Sequence, residues 1–500
     1  MIRRFTVSCV LLATAVACSV DIGAPNKVPR IGVVSDITRT DTIDTEPSKP
    51  MVIAISDSTG SLRTEVTVDI AGVPVPGGDL GMLVIDQNGG ANSATSLVTS
   101  GGQVSFKVIF GRRAGQWPII VTVPELKLAD TLWFTVKPGA AAYVTLRPAQ
   151  AVVLVGGTYQ QSATVIDRGG NAPIPAPSLA FSTIDPTVTV SAVGVVTGAA
   201  YGLAGVKVTS GILNETAVVS VVPSGRLATI SLLPGATTDP AVTVMATDGS
   251  GPRRYASPQD VSAAAWSPDA TRMYYVGTSR VANPTQRIYS LALSDGAISP
   301  LISDTVSALS GAKLISPAVS FDGTWIYFAT QIAQNGPTSG EIWRAHPDGT
   351  GVERLVSGAV AGSPYVVRTS PSPSPDGTRL AYVQKTTSPT TTANDIKILN
   401  LQSGSTLTII GSGADEVRWS PSGDRLATKG GAGLYVVNAD GSGLTQLIQN
   451  VDTFAGLDWS PDGRWLLANI YGVATILEPT TTGLRLPLNL RGVGQSWSPR

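Results

Sequence analysis

Cysteine and histidine are nearly missing from this chain. Its 500 residues hold two cysteines, Cys9 and Cys18, both within the first eighteen positions, and one histidine, His346. Everything after residue 18 therefore lacks an internal disulfide and holds together by burying apolar surface, which a chain of this length can do. A Ser-His-Asp arrangement has only one histidine to draw on, and one His with at most one Cys falls short of a zinc ligand set. No G-x-S-x-G elbow occurs. Charge is scarce as well: Asp, Glu, Lys and Arg make up 14% of residues, 35 of each sign, with no basic cluster. Without a basic excess to neutralise phosphates, the sequence argues against nucleic-acid binding. Beyond residue 18 no apolar run reaches the roughly 18 residues of a membrane-spanning helix.

What is abundant is glycine (53) and proline (35), set among many Val, Thr and Ser. That mixture favours short strands joined by turns. At the N-terminus, Arg3 and Arg4 precede an apolar stretch from Phe5 to Ala17 that is too short to span a bilayer and reads as an export signal. Ala15-Val16-Ala17 followed by Cys18 resembles a bacterial lipoprotein signal, with Ala15 standing where that pattern usually has Leu. The resemblance implies acylation of Cys18 as the first mature residue; ordinary cleavage after Ala17 and secretion is the alternative. Residues 18–50 are polar and are expected to form a flexible tether.

Residues 51–138 contain alternating runs such as "RTEVTVDIAG", "QVSFKVIFG" and "DTLWFTV", the period-two signal of half-buried strands in a sandwich. Residues 139–223 carry "L-x-x-G" at Leu154 to Gly157, "V-x-D-x-x-G-N" at Val165 to Asn171, a Ser-containing strand ending in Asp-Pro at Phe181 to Pro186, "G-x-V-T" at Gly194 to Thr197 and a Gly/Val strand at Gly202 to Val208. This segment resembles the group 2 bacterial Ig-like domain, and the segment before it resembles the broader bacterial Ig-like group through "GQWPIIVTVPELKLADTLWFTVKPG". Both resemblances imply spacer or adhesive modules without an active site.

The remainder is repetitive. "WSPDATRMYYV" starts at Trp266, "VSFDGTWIYF" at Val319, "PSPDGTRLAYV" at Pro373, "WSPSGDRLAT" at Trp419, "WSPDGRWLLA" at Trp459 and "WSPR" at Trp497. Starts 38 to 54 residues apart fit one four-stranded propeller blade per repeat. In each motif Ser opens a type I turn, Pro268 or its counterpart presets φ, an aspartate follows (Asp269, Asp322, Asp376, Asp462), and a glycine takes the left-handed position (Gly323, Gly377, Gly423, Gly463). Ala270 replaces that glycine in the first repeat. Trp266, Trp419, Trp459 and Trp497 are read as packing between neighbouring blades. A second series of turns, at Thr247, Ser294, Pro347, Gln402, Ala439 and Thr480, alternates with the first and joins the outer strands of each blade.

Because the two series interlock six times, the strand around "GQSWSPR" is expected to pair with "LATISLL", "VTVMAT" and "PRRYAS" some 240 residues earlier, sealing a six-bladed ring. Residues 224–500 resemble the TolB-like six-bladed propeller family, which implies a periplasmic protein-docking platform. The family's partner-binding residues lie in variable loops that find no match here, so none is assigned.

Little else carries chemistry. His346 sits beside an outer turn, Ser310 to Lys313 fits S-x-x-K without its companion motifs, and the Asp-Gly turns lack the ligand spacing of a calcium loop. Asp395, Asp415, Glu416 and Asp458 are the candidates for a glycosidase-type carboxylate pair. Aromatic and arginine residues at Arg253 to Gln259 and around Tyr365 are candidates for a recognition surface. The expectation is an all-β chain, two Ig-like sandwiches and a six-bladed propeller, without cofactor, metal or catalytic residues. It would bind an envelope protein, peptide or glycan and touch the membrane only through a lipid anchor. A carbohydrate-active enzyme and a purely structural cell-wall protein are the alternatives.

Overall fold

A computed structural model describes residues 28–499 apart from residues 36, 75–80, 87, 232–240, 256, 258, 280–284, 305, 310, 334–337, 359–364, 389, 410–412, 431–432, 450–455, 471, 489 and 491–492. The expected signal segment, Cys9, Cys18 and Ser310 lie outside the described residues. Those described are almost wholly strands and turns; the helical pieces among them are the short 3-10 turns Pro124–Leu126 and Ser307–Leu309. None of the described helices is long and apolar enough to cross a membrane.

The chain divides into two compact units. The first comprises the described residues up to Thr145 together with 164–178. It contains two five-stranded sheets, one ordered Arg30–Ser35, Met51–Ser56, Gln103–Phe110, Met82–Ile85 and Ala91–Asn92. The other is ordered Thr40–Thr42, Leu128–Lys137, Gly115–Val123, Thr67–Gly72 and Ala94–Val98. Strict alternation in "QVSFKVIF" sends Val104, Phe106, Val108 and Phe110 into the core, where Phe110 meets Phe134 edge to face at 6.0 Å.

Part of the expected tether is structured. Arg30–Ser35 pairs antiparallel with Met51–Ser56, and Thr40–Thr42 runs parallel to Leu128–Lys137. The polar composition of residues 18–50 concealed these strands because both lie at sheet edges, where a strand needs backbone partners more than an apolar face.

The second unit comprises 146–163 and 179–500. It opens with a four-stranded sheet, Gln150–Leu154, Leu213–Val222, Gly202–Ser210 and Ala180–Thr183, and a three-stranded one, Thr158–Gln160, Val195–Gly198 and Val188–Val190. Val153, Val196, Val206, Val219 and Val221 form their shared core.

Six four-stranded antiparallel sheets follow, the blades of a propeller. The innermost strands of the first five are Asp260–Trp266, Ala312–Val319, Tyr365–Pro373, Ala414–Trp419 and Leu457–Trp459. The sixth blade is ordered Val493–Trp497, Arg226–Ser231, Ala241–Ala246 and Arg253–Tyr255, so its innermost strand comes from the far end of the chain. Leu227 pairs with Trp497, Ala228 with Ser496 and Ile230 with Val493, and the Ser498 amide donates to the Arg226 carbonyl at 2.8 Å. Each innermost strand neighbours the next, and Val493–Trp497 lies between Leu457–Trp459 and Asp260–Trp266.

The four-stranded sheet of the second sandwich meets the propeller at this seam. Val152, Leu154 and Tyr201 pack on a cluster that contains Leu227, Trp465, Leu486 and Trp497. The rings of Tyr201 and Trp465 cross at 80° and 5.3 Å, with the Arg464 guanidinium 4.9 Å from the Tyr201 centroid.

Candidate binding cavity at the propeller axis

The repeated motif builds both the hub and its opening. In the first repeat the Ala270 amide donates to the Ser267 carbonyl at 2.9 Å, and the Ser267 hydroxyl bonds Asp269 while accepting from the Arg272 amide. Hydrogen bonds from Ser267 and then Thr271 hold the Asp269 carboxyl below its ordinary value. Ser374 does the same for Asp376. Asp322 and Asp462 occupy the same turn position, accepting from the amides of Thr324 and Arg464. In the fourth repeat, where Ser422 replaces the aspartate, Asp424 two residues on accepts from Ser420 and Ser422 instead. The left-handed position is filled by Ala270 (φ 55°), Gly323 (73°), Gly377 (69°), Gly423 (72°) and Gly463 (68°).

The four motif tryptophans are buried between blades. Trp266 shares a cluster with Ala228 and Val242 of the sixth blade and Met273 of the first; Trp419 lies among Val383 and Ile396 of the third and Leu426 of the fourth. Trp459 bridges blades four and five, and Trp497 packs on Leu467 and Ile476 of blade five. An arginine from the preceding blade covers several of these rings: Arg226 over Trp266 at 5.3 Å, Arg379 over Trp419 at 4.5 Å and Arg425 over Trp459 at 5.3 Å. Pro268 lies 3.7 Å from where a Cβ on Gly323 would stand, and Pro421 is similarly placed against Gly463.

The innermost strands of all six blades converge on one cavity of about 380 Å³. Its walls are the tryptophans, Ala264, Ala265, Ala318, Val319 and a set of prolines that includes Pro268, Pro421, Pro461 and Pro499. Phe321, which stands where the five other motifs have proline, is 45% exposed and also lines it. Sequence reasoning missed Phe321 and the two prolines Pro317 and Pro371. The latter follow Ser316 and Ser370, non-glycine residues at φ 52° where the innermost strands shift register in a bulge. The repeated Ser-Pro steps in "ISPAVSFDG" and "TSPSPSPDG" were the available signal.

The four candidate carboxylates are not free. Glu416 holds Arg418 at 2.6 Å and the buried Lys429 at 3.2 Å. Asp395 faces Lys397 at 3.7 Å, and Asp415, raised by burial, is 3.3 Å from the Asn394 amide nitrogen. Asp458 is the one carboxylate among the cavity-lining residues, and its two oxygens accept from the Trp459 and Trp497 amides, each at 2.9 Å. Burial pushes it up to about 6 against the pull of Arg418 and the two amides. It therefore serves as a tie between innermost strands five and six. Ser372 does the same between three and four, accepting from the Trp419 amide at 3.0 Å.

His346 is half-buried, stacked on Trp325 with ring centroids 4.1 Å apart. No set of three or more His, Cys, Asp or Glu residues able to hold a metal occurs among the described residues. Lys313 lies on the second innermost strand and Tyr365 on the third, 47% exposed. Arg253 is engaged with the Leu293 and Ser294 carbonyls rather than free for recognition.

No family model matches the chain. A curated protein of Agrobacterium fabrum (strain C58), itself uncharacterized, is 28% identical over 173 residues, 32% of this chain; the chain spans about half (52%) of that relative's length. Among solved structures, TolB from Acinetobacter baumannii is similar at 17% identity and a TM-score of 0.44, over 65% of this chain and 83% of that one. A periplasmic gluconolactonase from Pseudomonas aeruginosa matches at 14% identity and 0.34, over 54% and 97%. A gluconolactonase from Xanthomonas campestris matches at 16% and 0.30, over 50% and 94%. None of these similarities assigns an activity to the chain.

Proposed function

We propose that the chain is a non-enzymatic binding or scaffold protein of the bacterial envelope, in which Ig-like modules present a propeller that docks a partner at its axial cavity. The supporting observation is the cavity's chemistry. Its lining is mostly tryptophan, proline and alanine with the exposed Phe321 among them; of its polar members, Asp458 is spent on backbone amides, Ser372 on the Trp419 amide and Arg418 on Glu416. A site of this kind gains affinity by covering apolar surface and has no free acid or base to offer. Export and acylation of Cys18 belong to the same reading. Mass spectrometry of the mature N-terminus is expected to show an acylated Cys18; an unmodified residue would reject the anchor.

The docking role is tested by placing a photo-crosslinking amino acid at Phe321 and, in a separate chain, at Tyr365, then irradiating intact envelopes. Adducts at position 321 of one discrete mass are expected. Absence of any adduct at both positions would remove the reading. A carbohydrate-active enzyme is the second reading, favoured by the position of Asp458 near 6. It requires that Asp458→Asn abolish a measurable glycan hydrolysis; the docking reading expects no hydrolysis in either protein.

A further inference from the structure

The first sandwich carries an uncharged apolar stripe on the outer face of the sheet that contains Leu128–Lys137. Alternation along that strand turns Leu132 and Phe134 into the core and Trp133 outward, where 56% of it is exposed. Trp133 stands opposite Pro118, and the next row along the face carries Ile120, 37% exposed, opposite Ala71. Thr131 and Gln116 flank the stripe, so none of these six side chains is charged. Single exposed apolar residues are ordinary on a folded surface. An exposed indole set beside Pro, Ile and Ala is a larger feature, and it suits a partner that gives apolar contact without a counter-ion.

The point where the chain enters the sandwich says which partner. Arg30–Ser35 lies against Leu128–Lys137, the strand that bears Trp133, and Thr40–Thr42 pairs with the end of that same strand. Val34, at the bulge in Arg30–Ser35, adds a second well-exposed apolar side chain there. Residues 18–29 therefore join the sandwich beside the stripe, and at full extension twelve residues reach at most about 40 Å. With Cys18 acylated, the bilayer surface lies within that reach of the strand next to Trp133. Indole matches the interfacial layer of a membrane, since its ring is apolar and its N–H remains among headgroups and water. A short tether also raises the effective concentration of the face at the membrane, so a patch too weak to bind from bulk solution is engaged once anchored.

We propose that the stripe around Trp133 is a second membrane contact, with the indole seated among lipid headgroups and the first sandwich held face-on to the bilayer beside its anchor. This rests on the acylation of Cys18 above, and it departs from the expectation that the lipid anchor is the protein's sole contact with the membrane. Proline, isoleucine and alanine around the ring offer little to the hydroxyls of a sugar, which argues for lipid over glycan.

A chain beginning at Cys18 has that single thiol. Coupling it to a maleimide phospholipid anchors the chain to vesicles of phosphatidylethanolamine and phosphatidylglycerol in equal parts, whether or not the cell acylates it. Benzoylphenylalanine is placed at position 131 and, in a separate chain, at position 105, which is exposed on the strand Gln103–Phe110 of the other sheet. Irradiation is expected to give phospholipid adducts at 131 in at least about fivefold excess over 105. Trp133→Ser, at an exposed position, should lower the yield at 131 by a similar factor, whereas Trp133→Tyr, which keeps an amphipathic ring, should retain most of it. Equal yields at the two positions, no lipid adduct at 131, or an unchanged yield in Trp133→Ser would overturn the proposal. In intact envelopes position 131 should likewise take the mass of a phospholipid, and a glycan or protein mass there would overturn it. An unmodified Cys18 from cells together with selective adducts in vesicles would reject the natural anchor and leave the membrane-seeking face standing; an acylated Cys18 with equal yields would do the reverse.

Discussion

Ala270 carries the backbone strain that glycine relieves in four of the other repeats. At φ 55° its Cβ crowds the neighbouring carbonyl, whereas Gly377 reaches 69° without that conflict. A Cβ on Gly377 would meet no atom within 4 Å, so Gly377→Ala isolates the conformational term. Its expected cost is about 1 kcal/mol, read from urea unfolding. Asp458 supplies a pH-dependent contribution. Its folded value of about 6 lies above the ordinary 3.8, so the folded chain binds the proton more tightly than the unfolded one. That contribution is present in full below pH 4 and is lost as pH rises to 6, on the order of 3 kcal/mol. Asp458→Asn should flatten the difference between pH 4 and pH 7, at lower overall stability because its amide nitrogen faces a backbone donor. The motif residues were legible in the sequence since turn chemistry dictates them locally. The sharing of Asp458 between two strands was not, because the amide it accepts from belongs to Trp497, far along the chain.

The innermost strands are held to one another by single side chains reaching across a blade boundary. Ser372 is the clearest case: its hydroxyl accepts from the buried Trp419 amide at 3.0 Å across the blade boundary. Ser372→Ala is expected to cost about 1–3 kcal/mol, because the amide is left buried and unpaired, whereas Ser372→Thr, which keeps the hydroxyl, should retain part of that stability. Blade hairpins were readable from their alternation and their Asp-Gly turns, and all six outer turns fall between the third and fourth strands from the axis. Edge strands were not. Arg30–Ser35 and Thr40–Thr42 sit in a polar stretch whose composition resembles a tether, and only their backbone pairing marks them as sheet. The bulges at Ser316 and Ser370 were also hidden, since serine is not a residue that sequence reasoning places at positive φ.

Within the second unit, the sandwich and the propeller share a hydrophobic cluster at the blade where the two ends of the ring meet. Tyr201 and Val222 belong to the sandwich side, Leu227 and Trp497 to the two strands paired across the seam, and Trp465 links them. The sandwich thus acts as a clasp over the seam, a role that a resemblance to spacer modules does not foretell. Tyr201→Ala is expected to cost about 2 kcal/mol in unfolding of the whole unit, from lost burial and the ring contact with Trp465. The repeat count and its interlocked turns made the ring legible in the sequence. The clasp depends on which sandwich face meets which blade, and no local pattern records that. The most direct measurement is hydrogen exchange across Arg226–Ser231 in the chain and in Ser496→Pro, which removes an amide from the strand opposite Ala228. Protection of Arg226–Ser231 comparable to that of the other blades, lost together with protection of Leu466–Ile470 in the variant, is the predicted result. Unchanged exchange in both strands would contradict a ring sealed by Val493–Trp497.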